Sequence, residues 1–172
     1  MIASFTFGSG SSVRLLVAAI GRLKQGPERL LAERYHERAV KAGRGVGLRS
    51  VDMVELEESR AGDAARRREE EAARLLERLP EGAAIVLLDE TGETLDTAAL
   101  TEKVRRWRDG GRSATAFLIG GPDGTAQALK DRCDLCLALG ALTWPHQFVR
   151  VMLLEQIYRV TTVLAGHPYH RE

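Results

Sequence analysis

The segment ATAFLIGGPDGTAQALKDRCDLCLALGALTWP, residues 114–145, decides how the rest of the chain is interpreted. It contains two short apolar runs, Ala114–Ile119 and Leu135–Leu139, and glycine follows each of them. Apolar runs of this length that alternate with helical segments are typical of buried parallel strands. Because ligands of open α/β sheets bind beyond the carboxyl ends of the strands, we expect one pocket at the loops Gly120–Gly124 and Gly140–Pro145.

Composition describes an ordinary globular protein. The chain has 172 residues, of which 44% are hydrophobic and 28% charged, and this length is most simply one domain. No apolar run is long enough to span a bilayer, and the first residues do not resemble a signal peptide. The two cysteines do not form a disulfide framework, which favours a reducing cytoplasm. A net charge of +1 means that any surface for nucleic acid must be local.

Alternating strand and helix patterns predict an α/β fold with an open, mostly parallel sheet flanked by helices. Residues 1–12 are interpreted as a loose extension, and residues 13–172 as one domain. The strand at 48–56 is expected near an edge, and the third strand in the centre because it is continuously apolar. The predicted strands are Val13–Ile20, Leu48–Leu56, Ala83–Leu88, Ala114–Ile119 and Leu135–Leu139. The predicted helices start at Pro27, within 59–79, at a Thr97 cap, near Thr125 and at His146.

Several polar features have a structural and a functional interpretation. Asp89–Gly92 is expected to end the third strand, where Asp89 caps a turn more readily than it serves catalysis. The loop GGPDG lacks both the dinucleotide and the P-loop spacing, so a tight turn and a ligand loop stay equally open. Cys133 and Cys136 are interpreted as half-buried thiols, and the spacing of the histidines predicts no metal site.

The helix at 59–79 carries charges on most sides and is interpreted as solvated, with i,i+4 pairs such as Arg67/Glu71. Its apolar seam is predicted to include Ala65 and Leu75. The last helix, from His146 to about Leu164, is apolar over most of its circumference. We expect its own sheet and a second subunit to cover it, which predicts a homodimer.

Three segments together resemble a known family. LIGGPDG, LGALTWPHQFVRVMLLEQIYR and the terminal HPYHRE are similar, in this order and spacing, to the bacterial RlmH family. Its members are SPOUT-class methyltransferases acting on N3 of a pseudouridine in large-subunit ribosomal RNA. The likeness is strong from Ile85 onward and continues more weakly to residue 13. Gly140 and Trp144 depart from the serine and leucine common in that family.

The resemblance implies a C-terminal trefoil knot, a homodimer formed through the last helix, and S-adenosylmethionine bound in the knot. It also implies the residues that contact this cofactor. Carried over by position, they are Leu88, Gly121, Gly140, Ala141, Leu142, Thr143, Trp144 and Pro145.

The implied reaction methylates 23S ribosomal RNA, and N3 must lose a proton before it can act as a nucleophile. We hypothesise that His170 or Tyr169 handles this proton and that Arg171 holds a phosphate or the developing anion. A tail that merely docks the dimer is an equally open interpretation. For Arg150 and Arg159, structural ion pairing is favoured over a role in catalysis.

Recognition of RNA requires phosphate contacts, and the cations of the first half are the candidates. They are Arg22, Lys24, Lys41, Arg44 and Arg49. The partner is expected to be the large ribosomal subunit, read by its shape on assembled ribosomes. Two alternatives stay open: a SPOUT enzyme that acts on another RNA such as tRNA, and a non-catalytic factor that binds ribosomes.

Overall fold

The structure is a computed structural model that describes residues 13–166, so the predicted extension 1–12 lies outside the described residues. Strands and helices alternate along the chain. Their order is β1 (Val13–Ile20), α1 (Pro27–Gly43), β2 (Leu48–Leu56), α2 (Ala64–Glu77), β3 (Ala84–Thr94), α3 (Thr97–Asp109), β4 (Ala114–Ile119), α4 (Gln127–Lys130), β5 (Leu135–Ala138) and α5 (His146–Leu164).

The strands form one sheet in the order β2-β1-β4-β3-β5, and neighbouring strands pair in parallel. This confirms the predicted α/β fold and the edge position of β2. The central strand is β4, which is buried along its whole length, and not β3 as predicted. β3 lies between β4 and β5, and a strand with neighbours on both sides is apolar wherever helices cover both faces. The implied knot stays a prediction.

Residues of β1 alternate between two cores, as the period of a strand requires. Leu15 and Val17 face one core, to which α1, α3 and α5 contribute, whereas Leu16 and Ala18 face the other, to which α2 and α4 contribute. The sheet is therefore covered by helices on both sides. In the described range, no helix is long and apolar enough to cross a membrane.

β3 does not end at Leu88 but continues to Thr94. Its register against β5 shifts between Leu88 and Glu93, so the predicted turn Asp89–Gly92 is an irregularity inside the strand. A Cβ on Gly92 would lie 2.6 Å from the carbonyl carbon of Cys136. Turn-type residues also occur at bulges, where glycine lets a neighbouring backbone approach, and this local signal was misinterpreted as a strand end.

Two helix starts and one seam position differ from the prediction. Asp96, not Thr97, caps α3, because its carboxylate accepts a hydrogen bond from the amide of Ala99 at 2.7 Å. The helix α4 is confined to Gln127–Lys130. Ala65 is exposed and does not belong to the apolar seam of α2.

Most of the apolar surface of α5 is buried within the chain itself. Leu153, Leu154, Ile157 and Val160 are buried in the core that α5 shares with α1 and α3. Phe148, at the start of α5, keeps 46% of its surface exposed. Coverage by a second subunit therefore concerns a smaller part of the helix than the sequence predicted.

Candidate functional site

The carboxyl ends of β4 and β5 open into one cavity of about 670 Å³, next to the irregular part of β3. The loop 120–125 after β4 forms one wall, and residues 139, 140 and 142–144 after β5 form another. Residues 88–91 of β3 also line the cavity. The two loops that the sequence predicted to share a pocket are thus brought together, because parallel strands end at the same edge of the sheet.

Six of the eight residues predicted to contact a cofactor line this cavity: Leu88, Gly121, Gly140, Leu142, Thr143 and Trp144. Ala141 and Pro145 lie in the same loop, but both are exposed and neither lines the cavity. Leu88 is buried, whereas Leu142 is 69% exposed. The indole N–H of Trp144 donates a hydrogen bond to the carbonyl of Leu139 at 3.1 Å, which orients this side chain in the loop.

The loop Gly120–Gly124 is both a tight turn and a cavity wall. The amide of Gly124 donates a hydrogen bond to the carbonyl of Gly121 at 3.1 Å, and Gly124 has a positive φ of 87° that favours glycine. A Cβ on Gly120 would lie 2.5 Å from Cγ2 of Thr125, and one on Gly121 would lie 2.4 Å from Oε2 of Glu71. Packing around the loop therefore requires these glycines, whatever the cavity binds.

Asp89 holds the cavity wall together. Its Oδ1 accepts hydrogen bonds from the amide and hydroxyl of Thr91 at 2.9 and 2.6 Å. Its Oδ2 accepts one from Thr125 at 3.0 Å and pairs with Nζ of Lys130 at 2.8 Å. Burial by itself raises the pKa of Asp89, but the hydrogen bonds from Lys130, Thr91 and Thr125 outweigh it and lower the pKa to about 2. Such a carboxylate is a weak base at neutral pH, which favours the structural interpretation.

Asp89→Asn is expected to lower the free energy of unfolding at pH 6 by about 1 kcal/mol, since the asparagine loses the ion pair. The folded-state pKa lies below the ordinary value of 3.8, so the stabilisation is complete above pH 3.8 and disappears as the pH falls through about 2. Urea unfolding of wild type and variant at pH 6 and at about pH 2 measures this contribution. The difference between wild type and variant should shrink at the lower pH, and a difference that is the same at both would contradict the assignment.

The two cysteines lie beside this wall as half-buried thiols, as predicted. Burial is the main reason that the pKa values of Cys133 and Cys136 are raised, so both thiols stay protonated at neutral pH. Protonated thiols are poor nucleophiles and poor metal ligands. Within residues 13–166, no cluster of three or more His, Cys, Asp or Glu side chains could hold a metal ion.

The residues predicted to act in catalysis, Tyr169, His170 and Arg171, lie outside the described residues. His146 lines the cavity at the start of α5. Arg150 is buried and pairs with Glu55 at 2.8 Å, which agrees with the structural role favoured by the sequence. Arg159 forms an ion pair with Glu155 within the same helix.

The sequence missed two residues of α2 that lie behind the loop. Arg67 pairs with Asp123 and not with Glu71, and Glu71 is buried and not solvated. Glu71 precedes Leu75 by four residues and so lies on the same buried face of α2. This spacing could have predicted that Glu71 is buried. The pair Arg67–Asp123 spans 56 residues of sequence and leaves no local pattern.

Comparison with known proteins places the chain among methyltransferases. The family model described as "Predicted SPOUT methyltransferase" matches residues 13–170. Proteins named ribosomal RNA large subunit methyltransferase H are similar over 92% of this chain. The protein from Bradyrhizobium sp. (strain ORS 278) is 57% identical with 98% of its length covered, and that from Rhodopseudomonas palustris (strain HaA2) is 56% identical with 99% covered.

Among solved structures, the SpoU methyltransferase AviRb from Streptomyces viridochromogenes, in complex with AdoMet, aligns with 87% of this chain and 60% of its own. Its sequence identity is 12% and the TM-score is 0.36. The family model and the full-length relatives confirm the resemblance expected from the sequence. The chain belongs to the SPOUT methyltransferase family, together with the relatives named ribosomal RNA large subunit methyltransferase H.

Proposed function

We propose that this protein uses S-adenosylmethionine to methylate N3 of a pseudouridine in 23S ribosomal RNA, on assembled ribosomes. The observation that carries the proposal is the cavity at the carboxyl ends of β4 and β5, lined by the loops whose sequence resembles the RlmH family. The names of the full-length relatives support large-subunit ribosomal RNA as the substrate.

The cavity fits the proposed cofactor in size and in chemistry. A volume of about 670 Å³ lies within the usual range for small-molecule sites. Leu88, Leu142 and Trp144 offer apolar cover for an adenine ring, and the backbone of Gly121 and Gly140 can approach a ligand closely. When bound, S-adenosylmethionine supplies the methyl group. The residues of the cavity would hold it and exclude water.

Calorimetric titration of the purified protein with S-adenosylmethionine tests this assignment. We expect saturable binding of one cofactor per cavity, with S-adenosylhomocysteine competing for it. A protein that binds neither would contradict the proposed function and would favour the non-catalytic ribosome-binding factor.

The N3 proton must be removed for the nitrogen to attack, and the terminal tail supplies the candidate groups. We assign this proton to His170 or Tyr169, with Arg171 holding a phosphate or the developing anion. At and beside the described cavity wall, His146 is a further candidate, whereas Asp89 and the two cysteines are not. The pKa of Asp89, about 2, leaves this wall carboxylate a weak base, and the thiols of Cys133 and Cys136 are protonated.

Removal of residues 169–172 is expected to lower the turnover number by about a hundredfold or more, the usual contribution of a positioned acid or base. The affinity for S-adenosylmethionine should change much less. Single-turnover methyl transfer and calorimetry separate these two effects. Unchanged turnover in the truncated protein would contradict a catalytic role of the tail, and a monomeric truncated protein would instead support its role in dimer docking.

The candidate RNA-binding cations lie at opposite ends of the parallel strands. Arg22 and Lys24 follow the carboxyl end of β1, at the end that holds the cavity. The amino ends of the strands carry the other three cations, around the end of α1 and the start of β2: Lys41, Arg44 and Arg49. RNA that enters the cavity of the same subunit would therefore meet Lys24 rather than Arg44.

Lys24→Glu is expected to weaken binding to ribosomes and to lower the salt dependence of that binding by about one phosphate contact. Arg44→Glu makes the same kind of charge reversal at the opposite end of the strands and serves as the control. Ribosome affinity measured between low and high salt gives both slopes. An equal loss in both variants would contradict the assignment to the cavity end of the strands, and no loss in Lys24→Glu would remove this residue from the RNA surface.

The homodimer through α5 belongs to the same proposal. Phe148 on α5 and Leu30 and Leu31 on α1 are large apolar side chains that remain exposed. The helices α1 and α5 pack against each other within the chain, and because these three side chains are exposed they are available for contact with a second copy. Sedimentation equilibrium is expected to give twice the mass of the chain.

A further inference from the structure

Helix α2 contacts the loop Gly120–Gly124 through Arg67, and Arg67 itself does not line the cavity. The guanidinium of Arg67 donates two hydrogen bonds to the carboxylate of Asp123, from Nε at 2.7 Å and from Nη2 at 3.1 Å. Its Nη1 donates a third to the carbonyl of Ala61 at 2.9 Å. Because a bidentate pair fixes direction as well as distance, Arg67 sets the position of Asp123 relative to α2.

Glu71, one helical turn further along α2, contacts the same loop at Gly121. Only 3% of its surface is exposed, and its Oε1 accepts a hydrogen bond from the amide of Ser59 at 2.9 Å. Its Oε2 has no hydrogen-bond partner in the described part of the chain, and a Cβ on Gly121 would lie 2.4 Å from it. The carboxylate therefore packs directly against the loop backbone and limits how far the loop can retreat.

The end of the loop is held from a different element. The hydroxyl of Thr125 donates to Asp89 at 3.0 Å, and Asp89 in turn is paired with Lys130. Three contacts at Gly121, Asp123 and Thr125 thus hold the loop. The same three residues line the cavity.

We propose that Arg67 and Glu71 are positioning residues that hold the loop Gly120–Gly124 in the conformation required for S-adenosylmethionine to bind. The inference rests on the proposed function for the identity of the ligand. A loop held in its binding conformation loses less conformational freedom when the ligand binds, so its restraints increase affinity without touching the ligand. Arg67 and Glu71 do not line the cavity.

Arg66 provides a matched control for Arg67. It is the neighbouring residue of the same helix, its side chain is 71% exposed, and it pairs with Glu70 at 3.2 Å. Arg67→Met and Arg66→Met remove the same charge and keep the aliphatic stem. We expect Arg67→Met to raise the Kd for S-adenosylmethionine about tenfold and Arg66→Met to leave it unchanged.

Further variants at Asp123 and Glu71 separate the positioning of the loop from a general loss of folding. Asp123→Asn should raise the Kd as Arg67→Met does, and the double variant should be no worse than either single one, because both changes remove the same interaction. Glu71→Ala should also raise the Kd, whereas Glu71→Gln, which keeps the shape against Gly121, should retain most of the affinity.

Hydrogen exchange of the ligand-free protein provides a readout that needs no cofactor. Arg67→Met is expected to accelerate amide exchange in residues 120–125 and to leave the strands β1 and β4 protected. Unchanged exchange together with unchanged affinity would overturn the inference, and so would acceleration throughout the sheet. If the wild type does not bind S-adenosylmethionine, the proposed function fails. Local acceleration in Arg67→Met would then still show that this pair positions the loop.

Discussion

Replacement of Gly121 by valine is expected to reduce the affinity for S-adenosylmethionine by up to about a hundredfold, because overpacking costs about 1–3 kcal/mol and about 1.4 kcal/mol is tenfold in Kd. A Cβ at this position would lie 2.4 Å from Oε2, 3.0 Å from Cδ and 3.1 Å from Oε1 of Glu71. Glu71 is buried and held by the amide of Ser59, so it cannot move aside without breaking that bond. The loop must therefore shift toward the cavity.

Gly45→Val is the control, because a Cβ on Gly45 would meet nothing within 4 Å. Calorimetry should find wild-type affinity in this control and weaker binding in Gly121→Val. The cause can be tested further with alanine, since Glu71→Ala makes room for the new methyl group of Gly121→Ala. The double variant should then bind more tightly than the sum of the single losses predicts. Wild-type affinity in Gly121→Val would contradict the described packing behind the loop.

Replacement of Arg150 by methionine is expected to lower the free energy of unfolding by about 3 kcal/mol or more, as is usual when one partner of a buried ion pair is removed. Only 3% of Arg150 is exposed. Its Nη1 donates to Glu55 at 2.8 Å, and its Nη2 donates to the carbonyls of Ile20 and Gly21 at 2.6 and 2.7 Å. The side chain thus fastens α5 to the end of β1, and methionine would leave the carboxylate and both carbonyls without these donors.

Arg106→Met is the matched control, because Arg106 is also a helical arginine in an ion pair but its side chain is 77% exposed. Its loss should cost well under 1 kcal/mol. Urea unfolding followed by circular dichroism measures both variants. For a protein of this size, a loss of about 3 kcal/mol corresponds to a fall in Tm of about 6–12 °C. Equal stability of the two variants would contradict a buried structural role for Arg150.

The elements that the sequence predicted well are those whose signals are local. The strand β4 is an apolar run that glycine ends, and α5 begins directly after Pro145. In both cases the residues that form the element and those that end it are neighbours in sequence. The cavity was also predictable, because parallel strands that end in glycine-rich loops place those loops side by side at the carboxyl ends of the strands.

The features that were missed depend on contacts between distant residues. β3 continues past Asp89–Gly92 because β5 pairs with it again at Glu93 and Thr94, which no property of the turn-like tetrapeptide reveals. The pairing of Arg67 with Asp123 likewise depends on the sheet bringing α2 beside the loop. The roles of Tyr169, His170 and Arg171 were hypothesised from the polar terminal segment and from the proton that the implied reaction must remove, and they stay predictions.

The most direct test of the central claim is the transfer of labelled methyl groups from S-adenosylmethionine to ribosomes from cells that lack this modification. Free large subunits, naked ribosomal RNA and tRNA are tested in parallel. The account predicts label at N3 of a pseudouridine in assembled ribosomes and little label in the other substrates. Label in tRNA alone, or no label in any substrate despite cofactor binding, would contradict it.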